Sequence, residues 1–223
     1  MTARPWSDLP AALHPVADAV LLEVRAGCSV LLAGPPGLGA TLIARRIPAA
    51  LPPLSGDEIV EVGWRHIAAG LIEVPIIRPF RAPHHTTSTR GMVGGRGPGV
   101  CGACRGHRPA GCPCVAAWRR KEPPLPQRLR PGELHLAHEG VLLLDEVPEF
   151  SRATLDPVFL AHARAVLDGY PCRFALLGTA RPCPCGWYGS GIRACTCTAG
   201  MHDRYAQRGW DRFDVRIQLG GDA

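Results

Sequence analysis

A glycine-rich segment, GPPGLGAT at Gly34–Thr41, joins a short apolar run to a stretch with helical spacing. Such a turn from a buried strand into a helix aims successive backbone N–H groups at one point and adds the positive end of the helix, so it suits phosphate. The full phosphate-loop pattern G-x-x-x-x-G-K-[ST] would place a lysine where this chain has Ala40, whereas Thr41 retains the hydroxyl that contacts Mg²⁺. We therefore predict a nucleotide site formed by Gly34, Pro35, Pro36, Gly37, Leu38, Gly39, Ala40 and Thr41.

Two adjacent acids, Asp145 and Glu146, follow the apolar run GVLLL. At the end of a buried strand an aspartate can hold Mg²⁺ through water, and a glutamate can activate the attacking water. The alternative is a strand that simply ends in solvated acids. The loop and the acids occur in the right order and about 100 residues apart, which favours a site that binds ATP and Mg²⁺, with Thr41 and Asp145 as magnesium ligands.

Eight of the ten cysteines occur in close pairs. In a chain without an export signal, such pairs favour metal over disulfides. The spacing C-x-C-x9-C-x-C predicts a structural Zn²⁺ site, with buried or free thiols as the alternative. A second group lies in a Gly-, Pro- and Arg-rich stretch, where either Zn²⁺ orders the loop or the insertion is disordered. The two sets are Cys183, Cys185, Cys195 and Cys197, and Cys101, Cys104, Cys112 and Cys114.

Short buried strands alternating with helices must position these residues. This alternation predicts an α/β fold of the P-loop NTPase type, with a parallel sheet flanked by helices and Cys-rich loop insertions. Pro48 is expected to end the helix after the phosphate loop, and Ser55 with Glu58 forms a capping box for the next helix. The predicted strands are Ser29–Gly34, Gly140–Glu146, Phe174–Gly178 and Phe213–Leu219, and the predicted helices are Pro15–Arg25, Thr41–Ile47, Ser55–Ala69, Ser151–Asp168 and Met201–Gln207.

The composition is that of a globular protein with one substantial domain. The 223 residues are 46% apolar and 20% charged, and no apolar run is long enough to span a membrane. We therefore expect a cytoplasmic protein with no membrane partner. The formal charge of +6 is carried by arginine, since Lys121 is the only lysine. This charge is compatible with nucleotide or DNA as a partner, but a solvated basic surface is the commoner cause.

At these motifs the chain resembles the magnesium-chelatase-like AAA+ ATPases of the ComM/YifB branch. The resemblance also rests on ALPPLSGDE, FRAPHHTTS, RPGELHLAHEGVLLLDEVPEFSR, PCPCGWYG and WDRFDV, and it extends from about Val30 to Leu219. It implies an AAA+ core that binds ATP between subunits of a homo-oligomeric ring, or beside a larger AAA+ partner. Asp145 and Glu146 are then the magnesium-binding and catalytic acids, and Arg212 is the arginine supplied to a neighbour's nucleotide.

Members of this group are linked to branch migration of DNA or to insertion of magnesium into porphyrin, and these roles reach the present chain by analogy only. By family position His84 and His85 contact phosphate or DNA near the ring pore. Hydrogen bonds that stabilise the local turn are the alternative.

The departures from the family pattern imply a degenerate, truncated member with impaired hydrolysis. Ala40 replaces the lysine, and Arg181 replaces the sensor asparagine. The segment before Phe174 looks too short for the hairpin that relatives carry there, and the family's lid and N-terminal domain are not matched. Arg181 is the candidate to reach the phosphates in place of the lysine, because Arg45 and Arg46 lie more than a turn away along the helix.

These features divide the chain into a helical lead-in over residues 1–28, an AAA+ core over 29–219 and a tail over 220–223. The core contains a Cys-, Arg- and Pro-rich insertion at 97–128 and a Cys-rich loop at 182–198. Three functions follow: an ATP-binding domain that hydrolyses poorly, an active ATPase motor on DNA, and a zinc-stabilised nucleic-acid-binding or scaffold protein.

Overall fold

The structure, a computed structural model, describes residues 6–71, 76–97 and 128–220. Among these residues, five strands form one parallel sheet, and four further strands form two antiparallel pairs. In chain order the strands are β1 (Val30–Ala33), β2 (Phe80–Arg81), β3 (Gly94–Gly97), β4 (Arg128–Pro131), β5 (Gly140–Leu144), β6 (Val166–Leu167), β7 (Tyr170–Pro171), β8 (Phe174–Ala180) and β9 (Val215–Gln218). The large sheet has the order β2-β5-β8-β1-β9.

Helices cover the sheet and link its strands. They are α1 (His14–Arg25), α2 (Ala40–Ala50), α3 (Gly56–Ala68), α4 (Thr89–Val93), α5 (Glu133–Leu136), α6 (Arg152–Arg164) and α7 (Ala199–Ala206). Short 3₁₀ helices lie at Ala11–Leu13, Val147–Glu149 and Trp210–Arg212. The predicted α/β fold with a parallel sheet between helices is confirmed.

The sheet is buried on both faces because alternate residues of each strand point to opposite sides. On one face, Leu31 and the even-numbered leucines of β5 and β8 pack with α6. On the other face, Val30, Leu32 and their neighbours pack with α1 and α2. The helical lead-in therefore contributes Ala17, Val20 and Leu21 to the same core as the phosphate-loop strand.

The prediction that Pro48 ends α2 is wrong, since the helix continues to Ala50 with Pro48 inside it. Proline inside a helix loses the bond from its own nitrogen to the carbonyl of residue 44, and its ring crowds that carbonyl. Pro48 is tolerated here because only two helical residues follow it, and its fixed φ suits the helix. The helix is instead ended by Leu51, whose backbone is extended at φ −78° and ψ 156°. The capping box is present as expected: Ser55 Oγ accepts from the Glu58 backbone, and the Glu58 carboxylate accepts from the Ser55 backbone.

The expectation that no hairpin precedes Phe174 is also wrong. Strands β6 and β7 pair antiparallel, with Leu167 opposite Tyr170. The two residues between them, Asp168 and Gly169, have φ values of 51° and 83°. An Asp-Gly pair with two positive φ angles forms the tight turn that suits the twist of a hairpin. The hairpin is so short that its strands carry no alternating pattern of their own.

The predicted insertion begins and ends at a second antiparallel pair. Gly97 at the end of β3 is the partner of Arg128 at the start of β4. The residues on either side of the 98–127 segment are therefore neighbours across this strand pair. The four cysteines Cys101, Cys104, Cys112 and Cys114 fall outside the described residues.

Within the described ranges, no helix is long and apolar enough to cross a membrane.

A buried histidine ties α3 to the strands. His138, 1% exposed, contacts Glu61 Oε2 through Nε2 at 2.8 Å, and its Nδ1 accepts from the Arg173 backbone at 3.1 Å. Burial lowers the pKa of His138 to about 4, against the opposing effect of the Glu61 carboxylate. The imidazole is therefore neutral in the folded chain at neutral pH.

We expect His138→Gln to reduce the loss of stability at acid pH. The pKa of His138 is lower in the folded chain than its unfolded value of about 6.5, so the unfolded chain binds more protons and stability falls as pH drops below that value. Glutamine keeps a donor for Glu61 and cannot be protonated. Between pH 7.5 and 5.5 the free energy of unfolding in urea should fall by about 1–2 kcal/mol less in the variant than in the parent chain.

Other histidines whose pKa is lowered by burial, including His66, His135 and the partly buried His162, are common to both proteins. The comparison therefore isolates His138. Equal losses of stability in the two proteins would contradict the assignment.

Candidate nucleotide-binding site

The phosphate loop connects β1 to α2 and is held at the edge of the sheet by its neighbours. The Gly34 backbone N–H donates to the Ala180 carbonyl at 3.0 Å. A β-carbon at Gly34 would lie 2.8 Å from the Leu219 backbone oxygen, so no larger residue fits there. Gly37 and Gly39 have φ values of 89° and 91°, a region that glycine adopts readily. The geometry therefore favours glycine at Gly34 and Gly39, which the pattern specifies, and also at Gly37, which it leaves open.

The amino end of α2 supplies the anion-binding character of the loop. Gly39 is its N-cap and offers no side-chain acceptor, so the first backbone N–H groups of the helix are not capped by a side chain. Such N–H groups and the helix dipole favour a bound anion. Ala40 is the first residue of the helix, at the position where the full pattern has lysine.

The two arginines of α2 are engaged away from the loop. The guanidinium of Arg45 lies 5.7 Å from the centroid of the Phe80 ring. Arg46 pairs with Asp8, with 3.3 Å between Nη1 and Oδ2. Neither side chain therefore replaces the missing lysine in this arrangement.

Asp145 and Thr41, which the sequence placed together, are in contact. Thr41 Oγ1 donates to Asp145 Oδ1 at 3.0 Å, and Thr179 Oγ1 donates to the same oxygen at 2.5 Å. Hydroxyl and carboxylate oxygens are the ligand types that Mg²⁺ uses beside phosphates. The pair therefore fits a magnesium ion bound with a nucleotide.

Glu146 adopts a left-handed backbone conformation, with φ 60° and ψ 63°. This conformation costs a non-glycine residue about 1–3 kcal/mol and persists only where its surroundings enforce it. Here the Glu146 backbone N–H donates to Thr179 Oγ1 at 3.0 Å. One threonine at the end of β8 thus orients both acids.

The carboxylate of Glu146 is contacted by two side chains. Arg181 Nε donates to Glu146 Oε2 at 3.0 Å, and Tyr205 Oη donates to the same oxygen at 3.4 Å. Arg181 also lies 3.6 Å from a carboxylate oxygen of Glu149. Burial opposes a charged Arg181, but the hydrogen bond and charge of Glu146 raise its pKa above the ordinary value. Burial, with the Glu146 charge, raises the pKa of Tyr205 to about 12, so the phenol remains a donor.

Arg212 contacts a different part of the chain. Its Nη1 donates to Asp156 Oδ1 at 2.8 Å, and its guanidinium lies 4.4 Å from the centroid of the Phe159 ring. It borders a cavity of about 720 Å³ that is lined by residues of the 148–156 and 207–212 segments. Both of these partners of Arg212, Asp156 and Phe159, lie on α6.

The cysteines of the 182–198 loop form a cluster beside the site. The sulfurs of Cys183, Cys185 and Cys195 lie 3.3–3.7 Å from one another. The ligand atoms of Cys183, Cys195, Cys197 and His202 all lie within 4.8 Å of one another. The structure therefore brings together the cysteines that the sequence grouped and adds His202.

The His84 ring has a local partner. Its Nδ1 lies 2.8 Å from Thr86 Oγ1, and its ring centroid is 4.0 Å from that of His85. These contacts are of the turn-stabilising kind that was the alternative to a role in phosphate or DNA binding.

Three residues of the site were missed by the sequence prediction: Thr179, Tyr205 and His202. Thr179 could have been found, since residues at the carboxyl ends of neighbouring parallel strands converge at one edge of the sheet. Tyr205 and His202 lie on a helix whose docking depends on the irregular loop before it, and no periodic pattern reports that docking.

Comparison with known proteins gives one family match. The family described as magnesium chelatase, subunit ChlI, matches residues 14–107 and 126–221. The match thus includes the phosphate loop, the acidic strand and the cysteine loop.

Several curated proteins align with most of this chain, two of them as follows. The protein YifB of Salmonella typhimurium is 34% identical over 217 residues, which are 89% of this chain and 36% of the relative. The competence protein ComM of Haemophilus influenzae is 31% identical over 210 residues, which are 86% of this chain and 34% of the relative. The chain spans about a third of the length of these relatives.

A solved structure has a similar fold. The crystal structure of a putative ATPase from Cytophaga hutchinsonii aligns with a TM-score of 0.51 and 13% identity, covering 96% of this chain and 48% of the other. At this identity the likeness concerns the fold alone.

We expect Thr179→Val to destabilise the chain by about 1–3 kcal/mol, because it removes the donor to Asp145 and leaves the Glu146 N–H without its acceptor. Urea denaturation measures the effect. Thr198→Val is the matched control, since Thr198 is exposed and its side chain does not cap α7, and we expect a change within about 0.5 kcal/mol. A Thr179→Val effect no larger than the control would mean that this threonine does not hold the two acids.

Proposed function

The chain belongs to the magnesium-chelatase-like AAA+ ATPase family, and from that premise we propose that it binds ATP with Mg²⁺ but is impaired in hydrolysis. The phosphate loop, Thr41 and Asp145 would hold the nucleotide and the ion. The ion would neutralise charge on the phosphates. Within the chain, the backbone cradle orients the phosphates and Asp145 is fixed by Thr179.

The observation that carries the proposal is the engagement of Glu146 by Arg181. A general base must reach the water whose proton it takes. Here one carboxylate oxygen of Glu146 accepts hydrogen bonds from both Arg181 and Tyr205. The carboxylate that would take a proton from water is therefore already engaged by the guanidinium of Arg181. For Arg181 to reach a phosphate instead, it would have to leave its contacts with Glu146 and Glu149.

The absence of lysine at position 40 acts on binding as well as on hydrolysis. Hydrogen bonds to charged groups contribute about 1.5–3 kcal/mol each, so its loss weakens nucleotide affinity by roughly one to three orders of magnitude. The backbone cradle of Gly37, Gly39 and the start of α2 supports the binding that remains. Hydrolysis suffers further because removing one preorganised donor to the transition state costs on the order of 10²–10³-fold.

Assembly into a ring, or with a larger AAA+ partner, is part of the same proposal. In its own chain Arg212 contacts α6, through the ring of Phe159 and an ion pair with Asp156, whose side chain is 54% exposed. An arginine in this position suits a nucleotide bound by a neighbouring subunit. DNA is the partner suggested by the family resemblance, and the chain's charge of +6 is compatible with it.

The proposal predicts how two substitutions change nucleotide binding and turnover. Ala40→Lys should raise the affinity for Mg·ATP about 10–1000-fold in calorimetry, with little turnover. Adding Arg181→Asn should then free Glu146 and raise phosphate release at least about tenfold. Glu146→Gln in the double variant is the control and should abolish that gain.

Three other results would point elsewhere. Robust turnover by the unmodified chain would favour the active motor. A loss of affinity in Arg181→Asn alone would mean that Arg181 contacts the phosphates. Strongly salt-dependent DNA binding without any nucleotide binding would favour the nucleic-acid-binding or scaffold alternative.

A mixing experiment tests whether Arg212 acts on a neighbour. In the Ala40→Lys, Arg181→Asn background, Arg212→Ala and Glu146→Gln should each remove turnover, while a mixture of the two proteins should recover part of it because each supplies what the other lacks. Asp156→Ala removes the same ion pair but keeps Arg212, so it should retain turnover. An inactive mixture would contradict action between subunits.

A further inference from the structure

We propose that Cys183, Cys185, Cys195 and Cys197 bind one Zn²⁺ ion, and that this ion fixes the 182–198 loop against the phosphate loop. The metal site stands on the cysteine geometry alone. Its consequence for Glu146 rests on the function proposed above.

The sulfur positions favour a metal over disulfides. Three sulfurs lie mutually close, at 3.3 Å for Cys183–Cys185, 3.5 Å for Cys185–Cys195 and 3.7 Å for Cys183–Cys195. With Zn–S bonds of about 2.3 Å, tetrahedral ligands are separated by about 3.8 Å. A disulfide could join only two of these three sulfurs, whereas one ion can bind all of them. Cys197 completes the set, since its sulfur lies within 4.8 Å of those of Cys183 and Cys195.

The loop lacks any other evident means of becoming ordered. Residues 182–198 form neither helix nor strand, and residues 191–194 are all exposed. Fixing the backbone costs about 1–2 kcal/mol per residue, and this loop buries few apolar side chains to offset the cost. Zn²⁺ binding supplies that free energy, with the thiol protons released to solvent as the four thiolates form.

We assign His202 as a hydrogen-bond donor to the cluster and not as a ligand. Its Nε2 lies 3.3 Å from Cys195 Sγ. The set whose ligand atoms all lie within 4.8 Å of one another contains His202 in place of Cys185. We nevertheless give the fourth position to Cys185, because its sulfur lies 3.3 and 3.5 Å from those of Cys183 and Cys195, close to the spacing of tetrahedral thiolate ligands. A donor beside a four-thiolate site offsets part of the negative charge and orients the ligand that accepts it.

The ligands of the ion are close in sequence to the residues whose side chains contact Glu146. Arg181 precedes Cys183 by two residues, and Tyr205 follows His202 by three on α7. Gly186, between the cysteine pairs, packs so closely on the phosphate loop that a β-carbon there would lie 3.0 Å from Pro36 Cδ. An ion bound by the cysteines would therefore fix the positions of Arg181 and Tyr205, which contact Glu146, and of Gly186, which packs against the phosphate loop.

Metal analysis of the purified chain tests the site. The four insertion cysteines Cys101, Cys104, Cys112 and Cys114 are first changed to serine, so that only the 182–198 loop can contribute. We expect one zinc per chain, reduced to none in Cys183→Ser or Cys195→Ser and retained in the control Cys28→Ser, since Cys28 lies outside the cluster. Absence of stoichiometric zinc, or disulfides in its place, would overturn the proposal.

Cobalt substitution tests the ligand set, because the thiolate charge-transfer absorption grows with the number of sulfurs. We expect a four-thiolate spectrum that His202→Ala preserves. Loss of metal in His202→Ala together with its retention in Cys185→Ser would overturn the four-cysteine assignment.

Reversible removal of zinc tests the consequence without relying on a variant that folds poorly. On stripping the unmodified 223-residue chain with a chelator, we expect hydrogen exchange to lose protection in residues 181–206 and in the phosphate loop, and to regain it when zinc is restored. The core strand β5 should remain protected throughout. Unchanged exchange at Arg181 and Tyr205 in the stripped protein would show that the ion does not hold them. None of these measurements requires nucleotide, so their outcome is independent of whether the chain binds or hydrolyses ATP.

Discussion

The parallel register of β1, β5 and β8 is the constraint on which the site depends. Ala33 is opposite Ala180, and Leu144 is opposite Gly178. The residues that follow these positions therefore leave the sheet at one edge: the phosphate loop after β1, the acidic pair after β5, and Arg181 after β8. Thr179, still within β8, reaches the acids from the neighbouring strand. A shift of one residue in either pairing would reverse which side chains face the site and would separate these groups.

The distribution of charge at this edge differs from that of a phosphate loop with its lysine. The positive group is Arg181, which emerges from β8 and is directed at Glu146 and Glu149. The charge of Arg181 is therefore already paired with the protein's own carboxylates before any nucleotide binds, and these two carboxylates outnumber it. Each carboxylate of this pairing is about a third exposed, so solvent screens it and its free energy is modest. Because these ion pairs are weak, Arg181 could give up its contacts with Glu146 and Glu149 at a small cost in free energy.

Much of the fold was predictable because its signals are local. The apolar runs of β1, β5 and β8, the capping box at Ser55 and the glycines of the phosphate loop each report a backbone requirement in a few adjacent residues. The site was predictable as far as it lies directly after those strands. The end of α2 was predicted wrongly at Pro48 because the effect of a proline depends on how many helical hydrogen bonds would follow it. The β6–β7 hairpin was missed because its strands have only two residues each. Tyr205 and His202 could not be placed, since their positions depend on the fold of an irregular loop.

The pairing of β3 with β4 has a consequence for the length of the sequence that connects them. Because Gly97 and Arg128 are paired, the two ends of the 98–127 segment are held side by side by β3 and β4. The entropy of closing a loop rises only slowly with length, by about 0.6 kcal/mol for each doubling. A change in the length of the sequence between these two residues is therefore expected to cost little free energy and to leave the pairing of β3 with β4 intact.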